Sequence, residues 1–197
     1  VTDMAYCTVD EVLQRMGHAG ATSSDLQAKI TDAIDAATIA IEGDTGRVFT
    51  PSTSTRTFGA DGEFELVVPD LVSVTSLKVD DNDDGAFETT IAANDYELDT
   101  YREDDGWPWE IVRLLNRQWP ANGRRRRRIE ITATWGWSAI PSPINQACTL
   151  LALRIAQRPS AALFGVQSFG DLGASYVRKA APAYMRLIAR YTKPQMA

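Results

Sequence analysis

Residues 129–156 read Ile129-Glu-Ile-Thr-Ala-Thr-Trp135-Gly-Trp137-Ser-Ala-Ile140-Pro-Ser-Pro143-Ile-Asn-Gln-Ala147-Cys148-Thr-Leu-Leu151-Ala-Leu-Arg154-Ile155-Ala. Two periodicities meet there. Ile129, Ile131, Ala133 and Trp135 alternate with Glu130, Thr132 and Thr134, a half-buried strand of period two. After Gly136 and the prolines, Ile144, Ala147, Cys148, Leu151 and Ile155 recur at helical spacing, with proline in the first turn. The predicted helix runs over 143–158, and Pro159 stops it. A strand region therefore ends where a helix begins.

Working back, residues 53–137 read as an antiparallel β-region. Thr53 to Thr57 is polar and β-branched, and Asp61-Gly62 marks a turn. Phe64, Leu66 and Val68 alternate with Glu63 and Glu65, Val72 to Val79 forms a further strand, and Tyr96 and Leu98 a short one. Glu110 to Trp119 and Arg124 to Trp135 flank Pro120-Ala-Asn-Gly123, a hairpin turn signal. Before residue 53 the period is helical. Thr8-Val-Asp-Glu11 is a capping box that opens a helix over 8–17, whose apolar face is Val9, Val12, Leu13 and Met16. A second helix, over 24–43, is capped by Ser23 or Ser24. It carries Leu26, Ile30, Ala33, Ile34, Ala37 and Ile41, and Gly43 or Gly46 ends it. Beyond Pro159, residues 160–173 hold Gly165, Gly170 and Gly173 and read as a flexible connection. A last helical stretch, Ala174 to Tyr191, is split by Pro182. The expected class is α+β, with a helical core, an inserted antiparallel β-region and a C-terminal helical arm. Residues 1–159 form the main domain, and residues 160–197 the connection and arm.

The chain has 197 residues, 44% apolar and 23% charged, a globular composition. No apolar run approaches the roughly 20 residues of a membrane span. The N-terminus lacks a basic-then-apolar signal pattern, so the expectation is a soluble, cytoplasmically made protein. The net charge of −6 is unevenly laid out. Residues 1–110 hold 24 acidic and 6 basic side chains, and residues 111–197 hold 2 and 14. Such polarity serves different partners at the two ends or pairs within one fold. The two cysteines, Cys7 and Cys148, are no disulfide framework and read as small buried hydrophobes. The single histidine, His18, sits between glycines in a turn and excludes most zinc chemistry and acyl-transfer triads.

Three motifs carry chemistry. Asp80-x-Asn82-x-Asp84-Gly85 matches the first half of a calcium loop, but the twelfth position is Ile91 and the flanks are strands. An ordinary acidic turn is the plainer reading, and no metal or cofactor is expected. Arg124, Arg125, Arg126, Arg127 and Arg128 project from both strand faces beside the Asn-Gly turn. Inward arginines would be buried unpaired, so a hairpin tip reaching past the core follows. It suits an acidic partner surface or nucleic acid. No aromatic residues interleave for base stacking, which favours the protein partner. Tyr184, Leu187, Ile188 and Tyr191 form an i, i+3, i+4, i+7 stripe beside Arg186, Arg190 and Lys193. The stripe is either core or the apolar face of a docking helix. The Gly-x-x-x-x-Gly-Lys and Gly-x-Ser-x-Gly motifs are missing, and no carboxylate pair singles itself out for acid–base work, so no enzymatic role is expected.

The chain resembles the head–tail connector (adaptor, or head-completion) proteins of long-tailed bacteriophages and gene transfer particles. The resemblance rests on Tyr6 with Thr8-Val-Asp-Glu-Val12; on Ile34, Ala36-Ala37, Ile41 and Gly46-Arg47-x-Phe49; and on Pro69 to Val74. It continues through Tyr96-Glu-Leu98 and Ile131 to Gly136, then Ile140-Pro141-x-x-Ile144 and Ala147. The long β-region, the arginine run and the segment after residue 159 depart from short family members. The resemblance implies a non-enzymatic ring, commonly of twelve copies, between portal and tail in the virion neck, assembled in the host cytoplasm. Its implied partners are the portal protein, a tail-side stopper or tail terminator, further copies of itself and the double-stranded DNA passing through the channel; no membrane is implied. The rival readings are a nucleic-acid-binding module using Arg124–Arg128 and, behind it, a metal-dependent hydrolase using the Asp80 loop.

Overall fold

A computed structural model describes residues 5–17, 20, 23–102, 106–121, 123–157, 166–168, 174–176 and 182–193. His18, and all of the expected 160–173 connection except 166–168, lie outside the described residues. The class is α+β, and the chain divides into two compact units, residues 1–47 with 140–197 and residues 48–139.

The first unit is helical. α1 (Val9–Met16) begins with the full capping box: the Thr8 hydroxyl accepts from the Glu11 N–H, and the Glu11 carboxylate accepts from the Thr8 N–H. Gly17, in the left-handed conformation, ends it. α2 (Ser24–Thr45) buries Ile30, Ala33, Ile34, Ala37 and Ile41, and Gly46 rather than Gly43 is its left-handed cap. α3 (Ser142–Ala156) buries Ile144, Ala147, Cys148, Ala152 and Ala156, while Leu151 and Ile155 are half-buried. The buried face is thus turned slightly from the expected stripe, toward the alanines that let helices approach closely. α1 packs on α2 and α3, and α2 on α3.

The second unit is a six-stranded antiparallel sheet: β1 (Ser52–Phe58), β2 (Glu65–Val79), β3 (Thr89–Thr90), β4 (Tyr96–Asp99), β5 (Trp109–Leu114) and β6 (Ile129–Trp135). The order is β1-β6-β2-β5-β4, with β3 on β2. The two strands expected at 64–68 and 72–79 are one, β2, which runs through Pro69. A register shift between Val67 and Leu71 absorbs the proline's missing N–H. Phe64 precedes the strand and is exposed. In β6 the alternation holds: Ile129, Ile131, Ala133 and Trp135 are buried with Leu66, Val68, Leu77, Val79, Val112 and Leu114. Each such aliphatic burial is worth about 1.5–3 kcal/mol. On the other face of β6, Thr132 and Thr134 bond across the strand pair to Thr55 and Thr53 at 2.8 and 3.2 Å.

The hairpin expected at Asn122-Gly123 would pair β5 with β6, but β2 lies between them and pairs with both, and Asn122 itself lies outside the described residues. The Asn-Gly signal is local. Long-range pairing with the longest strand outweighs it. The expected helix at 174–176 is also replaced: β8 (Ala174–Tyr176) pairs with β7 (Val166–Ser168) in a separate two-stranded ribbon. α4 (Pro182–Ile188) begins at the proline and continues as a 3-10 turn, Ala189–Tyr191.

Candidate functional site

The arginine run and the acidic loop, far apart in sequence, form one site. Asp80 is fully buried at the end of β2, where its carboxylate accepts the N–H groups of Asp84 (3.3 Å) and Gly85 (2.8 Å). Asn82 and Asp84 accept the next N–H groups of the loop, from Asp84 and Ala86. The calcium-like spacing therefore serves the loop's own backbone. Asp80, Asp84 and Glu88 bring oxygens within 4.8 Å of one another. The carboxylates of Asp80 and Asp84 already accept N–H donors, and Ile91 at the twelfth position lies in the sheet core.

Asp83 adopts a left-handed backbone (φ 62°), and its carboxylate accepts the backbone N–H groups of Arg124 (2.6 Å) and Arg125 (3.0 Å). Gly123 permits this approach, since a Cβ there would sit 2.6 Å from the Asp83 carboxylate. Arg128 closes the clasp. Its guanidinium donates to the carbonyls of Asp80 (3.0 Å), Ala121 (3.0 Å) and Asp81 (2.9 Å). Arg117 forms a bidentate pair with Asp81. That pair holds the Asp81 carboxyl below its ordinary value. At Asp83 desolvation pushes upward, but the two N–H donors and the Arg128 charge outweigh it and hold the group low.

The arginines therefore do not all reach outward. Arg128 is half-buried and structural, whereas Arg124, Arg125, Arg126 and Arg127 are exposed. Arg126 and Arg127 form no ion pair with any described residue. Part of the charge polarity pairs within the fold, through Arg117–Asp81, Arg128 with the acidic loop, and Arg113 with Glu65 and Glu97.

The second candidate, α4, packs on α3 and α2 of its own unit. Tyr184, Ile188 and Tyr191 are buried, and the Tyr184 hydroxyl donates to Asp44 at 2.8 Å. Burial beside that carboxylate raises Tyr184 above its ordinary value. The Arg47 guanidinium donates to the Tyr191 carbonyl at 2.8 Å, and the Lys193 N–H to the Thr45 carbonyl at 2.9 Å. The stripe is core, and Leu187 is half-buried at its margin. The larger side chains that α4 and its 3-10 turn show to solvent are Met185, Arg186 and Arg190. Sequence reasoning missed Met185, whose place off the stripe was the available signal.

A hollow of about 190 Å³ is lined by Leu71, Trp107, Pro108, Trp109 and Ser138. It is smaller than the roughly 300–1,000 Å³ of small-molecule sites. Among the described residues no helix is long and apolar enough to cross a membrane.

No family model and no curated protein matches the chain. Solved structures do. A chain in the neck of an empty gene transfer agent particle, computed with C6 symmetry, is 24% identical with a TM-score of 0.62, covering 100% of this chain and 95% of that one. The neck of the native particle, computed with C12 symmetry, gives 25% identity, a TM-score of 0.54 and the same coverage. The virion of the native gene transfer agent gives 25%, 0.59, and coverage of 96% and 88%. The chain shares its fold over 96–100% of its length with these chains, in keeping with the resemblance to head–tail connectors read from the sequence.

Proposed function

We propose that the chain is a structural protein of the neck of a phage-like particle, forming a ring between portal and tail around the DNA channel. The observation that carries this is the full-length likeness to chains of gene transfer agent necks, in particles treated with sixfold and twelvefold symmetry. Closed rings need a heterologous contact, one face of each copy meeting a different face of the next. The exposed guanidiniums of Arg124–Arg127 are suited to an acidic surface of a neighbouring copy or of the tail-side protein. The exposed side of α4, with Met185, Arg186 and Arg190, is the portal-docking candidate in place of the buried stripe. Acidic side chains of the first half of the sequence would line the channel and repel phosphate, so DNA passes without sticking. The role is not enzymatic.

The test is to mix the purified protein with the portal protein of the same genome and image the product by negative-stain electron microscopy. A second ring stacked coaxially on the portal is expected. A dispersed monomer that leaves the portal bare would overturn the reading.

The exposed arginines also favour a specific rival, direct binding of nucleic acid. With Arg128 committed to carbonyls, four phosphate contacts remain, so a log–log salt slope of about −3.6 is its signature. A flat salt dependence removes it.

A further inference from the structure

Cys7 and Cys148 are 141 positions apart, and the helical unit brings their sulfurs to 3.1 Å. Both are buried, with Cys7 4% and Cys148 0% exposed. The segment carrying Cys7 is tied to two helices. The Tyr6 hydroxyl donates to Glu42 at 2.6 Å and its N–H to the Thr38 hydroxyl at 3.4 Å, both on α2. Its carbonyl accepts from the Asn145 side chain, on α3, at 3.0 Å. Asn145 lies three residues before Cys148 on that helix. The two sulfurs are thus held in place by their neighbours' polar bonds.

We propose that Cys7 and Cys148 are a redox-responsive pair that a peroxide converts to a disulfide, stapling the segment ahead of α1 to α3. Each step balances. The Cys7 thiolate attacks one peroxide oxygen, the O–O bond breaks, and a sulfenic acid and hydroxide result. The Cys148 sulfur then attacks the Cys7 sulfur, the S–S bond forms and the S–OH bond breaks. The Cys148 proton leaves with that hydroxide as water. Two thiols are oxidised and one peroxide is reduced to two waters. The hydrogen bond from Cys148 favours the anion on Cys7, and the same bond with burial keeps the proton on Cys148. The sulfurs need to close by about 1 Å to reach the bond length of roughly 2.05 Å.

The setting rests on the neck reading. A neck protein is made among reducing thiols and then carried in a released particle, where disulfides persist. The chemistry does not rest on it. Closing a loop this long predicts a rise in Tm of about 10 °C.

The test treats the reduced, full-length protein with a small excess of hydrogen peroxide, then denatures it, alkylates it and measures mass and a non-reducing peptide map. The expected product has lost two hydrogens, takes up no alkylating agent and yields one peptide joining Cys7 to Cys148. Its Tm is raised, and dithiothreitol reverses the rise. Cys7→Ser and Cys148→Ser show no such rise. Met185, 48% exposed, is the internal gauge of dose. Oxidised Met185 beside two alkylatable cysteines, or oxygen added to a cysteine without a link, overturns the proposal. Both readouts are made without the portal, so their failure is separate from failure of the neck reading.

Discussion

Gly136→Ala should be among the most damaging single changes in the chain. Gly136 has φ 99°, outside the range an L-residue adopts without strain, and a Cβ would lie 2.2 Å from the Thr50 carbonyl oxygen. Its N–H also donates to the Asp70 carbonyl at 2.7 Å, so the turn cannot simply rotate away. Backbone strain of this kind costs about 1–3 kcal/mol. The Thr50 carbonyl must retreat by about 1 Å, which pulls on the start of β1, where Ser52 faces Trp135. Losing one or two ladder bonds there adds about 1 kcal/mol each. The sum is about 2–5 kcal/mol, against a total stability of about 5–15. Gly106→Ala is the matched control: φ is 80° in the same unit, but nothing lies within 4 Å of the new Cβ. It should cost about 1 kcal/mol. All five tryptophans lie in residues 107–137, so fluorescence in urea reports the sheet unit alone. With m of about 1–2 kcal/mol/M, the two variants' midpoints should differ by about 2 M. Midpoints within 0.5 M of each other would refute the steric argument.

Tyr184→Phe removes the bond to Asp44 and should cost about 1 kcal/mol, read by circular dichroism of the helical unit. Deleting residues 182–197 should destabilise that unit as well as affect assembly. The sharper docking test is therefore Met185→Ser with Arg186→Glu, both exposed, which should leave unfolding within about 0.5 kcal/mol and abolish stacking on the portal. Glu11, Asp81 and Asp83 all have folded values depressed below the unfolded ones. Their stabilisation is present above the unfolded pKa of about 4 and is lost as pH falls through the folded values. Urea midpoints should drop below pH 4, and Glu11→Gln should flatten that drop in the helical unit. Replacing Arg126 and Arg127 with glutamate should weaken ring formation on the portal without moving the fluorescence transition, since neither side chain pairs with a described residue.

Local signals were read well where they were self-sufficient. The Thr8–Glu11 box, the Gly46 cap and the alternation from Ile129 to Trp135 each depend on neighbours a few residues away, and each is found as expected. Signals whose outcome depends on distant partners misled. Asn122-Gly123 is a good turn sequence, yet β2 intervenes because its fifteen residues can pair with β5 and β6 together. The α4 stripe has the spacing of a docking face and of a core face alike. Only α2 and α3, brought beside it by the fold, decide for core. The arginine run gave no hint that Arg128 caps carbonyls while Arg124–Arg127 stay exposed, because two of its three carbonyls belong to residues 47 and 48 positions earlier. Cys7 beside Cys148, 141 positions apart, is equally invisible to any spacing rule.

The division of the chain has a consequence for synthesis. The sheet unit is spliced between the two halves of the helical unit, which needs residues 1–47 and residues beyond 140. A chain emerging from the ribosome can complete the sheet once Trp135 is out, since β1 waits for β6 some 80 residues later. At that moment α2 has only α1 beside it and still lacks α3 and α4, its other partners in covering Ile30, Ile34 and Ile41. At about 5–20 residues per second, the last fifty or so residues keep that apolar face open for several seconds. A nonsense codon just after residue 139 would therefore release a product with a finished sheet and a sticky helix, a ready substrate for proteases and holding chaperones.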